Sequence, residues 1–292
     1  MTTLRCHRNS SGANWWALRL RRLQRSRSGM VGAAIVLIVI VTAVLAPLIS
    51  PYSPTRLFFG QELRPPGYPH WFGTDLMGRD ILSFVIWGTR SALVVAGIAV
   101  GLAMAIGTTI GLLAGYFGGR VDMLLMRLTD VILVTPILFL IILATAIFVI
   151  RAVWLTSVII GLFTWPYVAR IVRSEVLALR EELFVEAARA VGGQDLRVIL
   201  RHVLPNTVPC LIVTATIYVA YAILTEASLG FLGLGDPAAV TWGAMLNVGR
   251  DVLRRAPWVA TIPGLLIFLT TWGFNLLGDG IRDALDVKEY HQ

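Results

Sequence analysis

The sequence predicts an all-α integral membrane protein of six transmembrane helices, and three features carry that prediction. Of its 292 residues 57% are hydrophobic and only 14% charged, against roughly 25% charged in a soluble domain. Six uncharged apolar runs each reach about 18 residues or more, enough for a helix to cross a bilayer. The basic residues, 24 arginines and the single Lys288, sit in short segments beside these runs. That distribution belongs to membrane topology and not to a nucleic-acid-binding face.

Residues 1–29 hold seven arginines and no acid. Trp15, Trp16, Leu18, Leu20 and Leu23 are interleaved with Arg19, Arg21, Arg22 and Arg25, so this basic tail is expected to form an interfacial helix, rings among headgroups and arginines toward anionic lipid. A signal peptide also begins with a basic stretch before an apolar run. Residues 30–49, however, are about twenty uncharged residues without an A-x-A site, so the first span (30–50) is expected to remain as an anchor. Five further spans are expected near 91–117, 131–150, 152–169, 207–225 and 257–277.

Six spans put both termini on one side. Seventeen of the Arg and Lys residues fall on that side and eight on the other, so the positive-inside rule places both termini in the cytoplasm of a multi-pass protein of the cell membrane. The expected divisions are then an extracytoplasmic loop at 51–90, a five-helix core at 91–277 that includes a cytoplasmic segment at 174–206, and a cytoplasmic tail at 278–292. Gly97, Gly101, Gly107, Gly111 and Gly115 mark the second span with a small-residue stripe suited to close helix contact. Pro136, Pro166 and Pro263 are expected to bend helices or mark their ends.

The segment 174–206 is a polar island between apolar runs. Phe184, Ala187, Ala188 and Val191 recur at i, i+3, i+4 and i+7 and so share one face of a short helix, with Glu181, Glu182, Glu186 and Arg189 on the other side. Gly192 and Gly193 stop it, Asp195 can cap a second short helix, and Pro205 is expected to end that one. An L of two helices results, shaped as a plug for a partner's groove.

These residues bring the first resemblance. Glu186-Ala187-Ala188, Gly192 four positions on, and Leu204-Pro205 resemble the EAA loop of binding-protein-dependent ABC importers, the cytoplasmic segment by which a permease subunit engages its ATPase. Arg201-His202 resembles the peptide-importer branch. Before the second span, His70, Gly73-Thr74-Asp75 and Gly78-Arg79-Asp80 resemble the C-type subunit of dipeptide, oligopeptide and nickel importers. So do Asp122, Met126-Arg127 and Asp130, the stretch from Glu226 to Gly235, Thr241-Trp242-Gly243, and the closing Phe274, Asn275, Gly278, Asp279, Arg282, Asp283 and Asp286.

The resemblance implies ATPase-coupling roles for Phe184, Glu186, Ala187, Ala188, Val191 and Gly192. It also implies a second homologous permease subunit, two ABC ATPase domains that bind ATP and magnesium, and an extracytoplasmic substrate-binding protein. Read locally, Asp75 and Asp80 can accept from nearby amides or pair with Arg79 and Arg90, as a structural cap or a docking surface. Asp122, Arg127 and Asp130 can equally be a charged turn, and Glu226 a hydrogen-bonding residue at the outer interface.

Chemistry of its own is not expected in the chain. A Walker A loop needs a lysine after its glycines, and Lys288 stands in VKEY. Cys6 and Cys210 are placed too differently to pair. The four histidines have no metal-ligand spacing, and there is no G-x-S-x-G. A secondary transporter would need charges in mid-span or inverted repeats, and an intramembrane enzyme a nucleophile with its base; neither is visible. The resemblance then implies a non-enzymatic permease subunit for ATP-driven import of peptides, with nickel or another small solute as the alternative cargo.

Overall fold

The computed structural model describes residues 26–148 and 152–285, which form helices and turns without a named strand. The interfacial helix expected in 1–29 lies, up to residue 25, outside the described residues, as do Cys6, Asp286 and Lys288. Helix α1 (Arg27–Ile49) begins at Ser26, whose hydroxyl accepts from the Gly29 amide at 3.2 Å, satisfying one of the free donors of a helix start. Its Leu37, Ile38, Val44 and Leu48 stand exposed, an apolar surface suited to lipid. Gly32 on the opposite face meets the backbone of Leu277 in the last helix, α10 (Trp258–Leu285), too closely for any side chain.

Helix α2 (Ile81–Phe117) starts ten residues before the expected 91. Asp80 caps it, its Oδ2 accepting from the Ser83 amide at 2.8 Å. Ile81, Phe84 and Val85 are buried in one cluster with Trp242, Met245 and Val259. The same carboxylate binds His70 Nδ1 at 2.9 Å, while the Tyr52 amide donates to Ser83 Oγ at 3.1 Å. Asp75, fully buried, accepts from the Met77 and Arg79 amides and from Arg79 Nε at 2.7 Å. Arg90 instead lies near the Trp87 ring. The loop before α2 is therefore stapled to the bundle by buried polar groups that all have partners, which avoids the cost of leaving them unmade.

Gly118, at φ +63°, turns the chain into α3 (Gly119–Leu133), and α4 (Ile137–Ile147) follows at an angle of 73°. Pro136 disfavours the helical conformation of the residue before it, which separates the two. With eleven residues, α4 is about 17 Å long, short of the roughly 30 Å hydrocarbon core. The expected span at 131–150 is met, as far as residue 148, by the end of α3 and by α4, a bent pair and not a straight span. Among the described residues five helices are long and apolar enough to cross a membrane, or six with the bent pair taken as one.

Helix α5 (Val153–Leu179) continues ten residues past the expected 169. The charges that suggested an earlier end are neutralised across the gap. Arg170 pairs with Asp130 of α3 at 2.5 Å, and Arg173 grips Asp122 through both carboxylate oxygens. Asp122 and Asp130 therefore hold α3 against α5 and are not merely a solvated turn. The short α6 (Leu183–Ala190) and α7 (Asp195–Val198) lead to α8 (Leu204–Phe231), and α9 (Trp242–Asp251) precedes α10. Pro166 and Pro263 lie inside α5 and α10 and end neither.

The most extensive helix contact joins α2 and α5. A Cβ on Gly107 would sit 2.6 Å from Val168 Cβ, one on Gly111 2.7 Å from the Ala169 carbonyl, and one on Gly115 2.8 Å from Val176 Cβ. Gly97 and Gly101, members of the same stripe, meet nothing within 4 Å. Gly111→Leu is expected to destabilise the protein by about 1–3 kcal/mol or prevent its folding, whereas Gly101→Leu leaves the melting temperature in detergent within the error of the wild type. A thermal melt of the two variants side by side checks this.

Candidate coupling site

The 174–206 segment is shaped by three local choices. First, α6 carries apolar residues on two sides. Val185 is fully buried and Ala188 partly so, both against a cluster that includes Tyr116, Val172, Val176 and Val203. Phe184, Ala187 and Val191 stand exposed on the other side, Val191 at 89%. The single face expected from Phe184, Ala187, Ala188 and Val191 is divided, because Val185, about 100° round the helix from Phe184, makes the inward contact and turns Ala188 with it. Glu186 is exposed and has no ion-pair partner among the described residues.

Second, the two glycines do different work. The Gly193 amide donates to the Ala188 carbonyl at 3.1 Å and the Gly192 amide to that of Arg189 at 2.9 Å, the pair of bonds that closes a helix through a left-handed residue. Gly192 is that residue, at φ +84° with open space around it. Gly193 is limited by room instead, since a Cβ there would lie 2.6 Å from the Ala188 oxygen.

Third, the second arm is continuous with the next span. Gln194 is the N-cap of α7 and Asp195 its first residue, so Asp195 does not cap through its side chain. Its Oδ1 instead accepts from the Tyr116 hydroxyl at 2.8 Å. Arg189 donates Nε to the same hydroxyl oxygen at 3.2 Å and stacks its guanidinium 4.5 Å from the ring centre. Both arms of the L are thereby clamped to the end of α2. Residues Ile199–Val203 form a π turn in which the Leu204 amide reaches back to the Ile199 carbonyl. The widened turn accommodates Pro205, which lacks a donor, and the helix runs on where an end was expected.

Sequence reasoning missed Tyr116 and Val185. Tyr116 lies more than 70 residues from both partners, beyond any local pattern. Val185 falls outside the i, i+3, i+4, i+7 series that was followed. Across residues 183–200 the L presents Leu183, Phe184, Val191, Leu196 and Leu200 exposed, an apolar surface of the kind that marks an interaction site. Three glutamates, Glu181, Glu182 and Glu186, stand exposed beside it. Among the described residues no three His, Cys, Asp or Glu side chains gather as metal ligands would.

At the far end of the bundle Glu226 is buried and hydrogen-bonded to Thr241. Thr241 Oγ1 also caps α9 by accepting from Ala244. Glu226 is thus part of the joint between α8 and α9, where Gly243 comes so near that a Cβ would lie 2.8 Å from the Ala227 carbonyl. Trp242 completes the joint by donating Nε1 to the Val85 carbonyl of α2 at 3.0 Å.

Comparison with known proteins identifies this bundle of long apolar helices with its two-helix appendage as a transport permease subunit. Residues 107–288 match the inner membrane component of binding-protein-dependent transport systems, and residues 14–66 match the N-terminal transmembrane domain of oligopeptide transport permease C; the chain belongs to this family. It is 42% identical to a dipeptide transport system permease protein of Alkalihalophilus pseudofirmus, over 94% of this chain and 90% of the relative. It is 40% identical to a glutathione transport system permease protein of Pectobacterium atrosepticum, over 99% and 96%. A glutathione transport system permease protein of Escherichia coli is 43% identical over 92% and 89%.

Tyr116→Phe removes the hydroxyl that both arms share while keeping the ring. We expect a local loss of about 1–2 kcal/mol, read as faster amide hydrogen exchange in residues 183–198 while exchange in α2 and α5 stays unchanged.

Proposed function

We propose that the chain is one half of the membrane pathway of an ATP-driven peptide importer, and that the 174–206 segment is where its ATPase acts. The observation that carries this reading is the outward face of α6. Its inward face is already satisfied by Val185 and Ala188, yet Phe184, Ala187 and Val191 remain uncovered beside an unpaired Glu186. In this reading a groove of a partner ATPase domain takes that face, burying Phe184 for about 1.5–3 kcal/mol, with Glu186 setting orientation more than affinity.

The clamp on Tyr116 and the unbroken run from α7 into α8 then carry the ATPase's closure into α2 and α8. Two ATPase domains bind ATP and magnesium on the cytoplasmic side, where both termini lie. A second homologous permease completes the pathway, and a substrate-binding protein delivers cargo to the opposite end. The dipeptide and glutathione relatives favour small peptides over nickel as that cargo.

The test is a detergent pull-down of the tagged chain, wild type beside Phe184→Asp with Val191→Asp. Both positions are surface-exposed, so the variant is expected to fold and melt like wild type. An ATPase, a second permease and a binding protein should come down with wild type, and the ATPase should be depleted at least tenfold from the variant, about 1.4 kcal/mol or more of lost association. A folded wild-type chain recovered alone would end the importer reading for this segment.

A further inference from the structure

Three tyrosines occupy a level of the bundle where tyrosine is out of place. Tyr167 lies fourteen residues into α5, and Tyr218 and Tyr221 lie thirteen and ten residues before the end of α8. The two helices run in opposite directions, so all three sit about 15–21 Å from the same end, close to the middle of a hydrocarbon core of about 30 Å. Tyrosine normally gathers at the membrane surface, where the ring is in lipid and the hydroxyl in water. The Tyr218 and Tyr221 rings meet edge to face at 6.1 Å, and Tyr167 lies near both.

Two of the hydroxyls are left open. Among the described residues neither Tyr167 nor Tyr218 has a hydrogen bond to its hydroxyl. No buried side-chain oxygen lacks a partner, so the Tyr218 oxygen is not fully enclosed, and Tyr167 is 41% exposed. A hydroxyl facing lipid at this depth would have nothing to bond to. Something polar therefore meets this face in the working protein.

We propose that Tyr167, Tyr218 and Tyr221 form a peptide-contacting station midway along the translocation pathway, an inference that rests on the importer reading above. A peptide presents alternating amide donors and carbonyl acceptors, and a phenol hydroxyl serves either. The rings offer apolar area to side chains of any kind. No charged residue occupies α5 between residues 153 and 169 or α8 between 204 and 225, so the station has no fixed charge with which to trap a zwitterion. Binding that is weak and tolerant of sequence is what a passage site needs, since cargo must leave as readily as it enters.

The experiment uses the whole importer, with its second permease, ATPase and binding protein, in liposomes and with dialanine as the probe. Tyr167→Phe with Tyr218→Phe should lower dialanine uptake roughly fivefold to tenfold, while the second permease and ATPase still co-purify. In a Cys6→Ser, Cys210→Ser background, Tyr167→Cys and Tyr218→Cys should each react with a charged thiosulfonate reagent, and dialanine should slow that reaction. Unchanged uptake in the double phenylalanine variant overturns the proposal. So does a cysteine that never reacts, which would place this face against lipid or the second permease. If wild type couples ATP hydrolysis to nothing and imports no dialanine, the cargo reading fails separately, and the labelling arm still decides whether these tyrosines line a watery path.

Discussion

The structure depends on the seam between α2 and α5. Lipid offers apolar side chains no less than a neighbouring helix does, so helices in a membrane hold together through close fit and not through exclusion of water. Here the fit is Gly107, Gly111 and Gly115 of α2 against Val168, Val172 and Val176 of α5. The same seam ends at Tyr116 and Val176, the residues that receive α6. Position the two helices a little further apart and the 174–206 segment loses its seat as well.

Two ends of the bundle are finished by different physics. At the end bearing the 50–80 loop, buried carboxylates are each fully engaged: Asp75 by amides and Arg79, Asp80 by Ser83 and His70. Such networks fix one geometry because any displacement strands a buried polar group. At the opposite end the L of α6 and α7 is held on its inner side only, leaving exposed apolar side chains. One end is closed by paired polar groups; the other leaves apolar side chains uncovered.

Much of this was legible in the sequence because membrane helices are written in composition and length. The runs at 30–49 and 207–225 lie within observed helices, as does that at 257–277 but for Pro257, and Gly192 takes the left-handed conformation that its place after α6 suggested. What escaped had non-local causes. The extension of α5 past residue 169 depends on Asp122 and Asp130 arriving from another helix to neutralise Arg173 and Arg170. The inward turn of Val185 depends on a surface made by α2 and α5. Gly97 and Gly101 share the spacing of Gly107 and Gly111 but not their neighbours, so spacing alone assigned all of them the same role. Pro205 read as a stop because a proline in a regular helix usually is one, and the pattern carries no mark of a π turn.

That π turn has a geometrical consequence. A turn of this kind holds one residue more than a regular turn, so it rotates everything beyond it by about 100° about the helix axis. Val198, Ile199 and Val203 before and within the turn face the bundle, and so does Thr207 after it. The turn sets the phase between two surfaces on one rod: the foot formed by α7 and the tyrosine-bearing side of α8. Like the keyway that fixes a gear on its shaft, a single extra residue determines which way the far side points when the near side is seated.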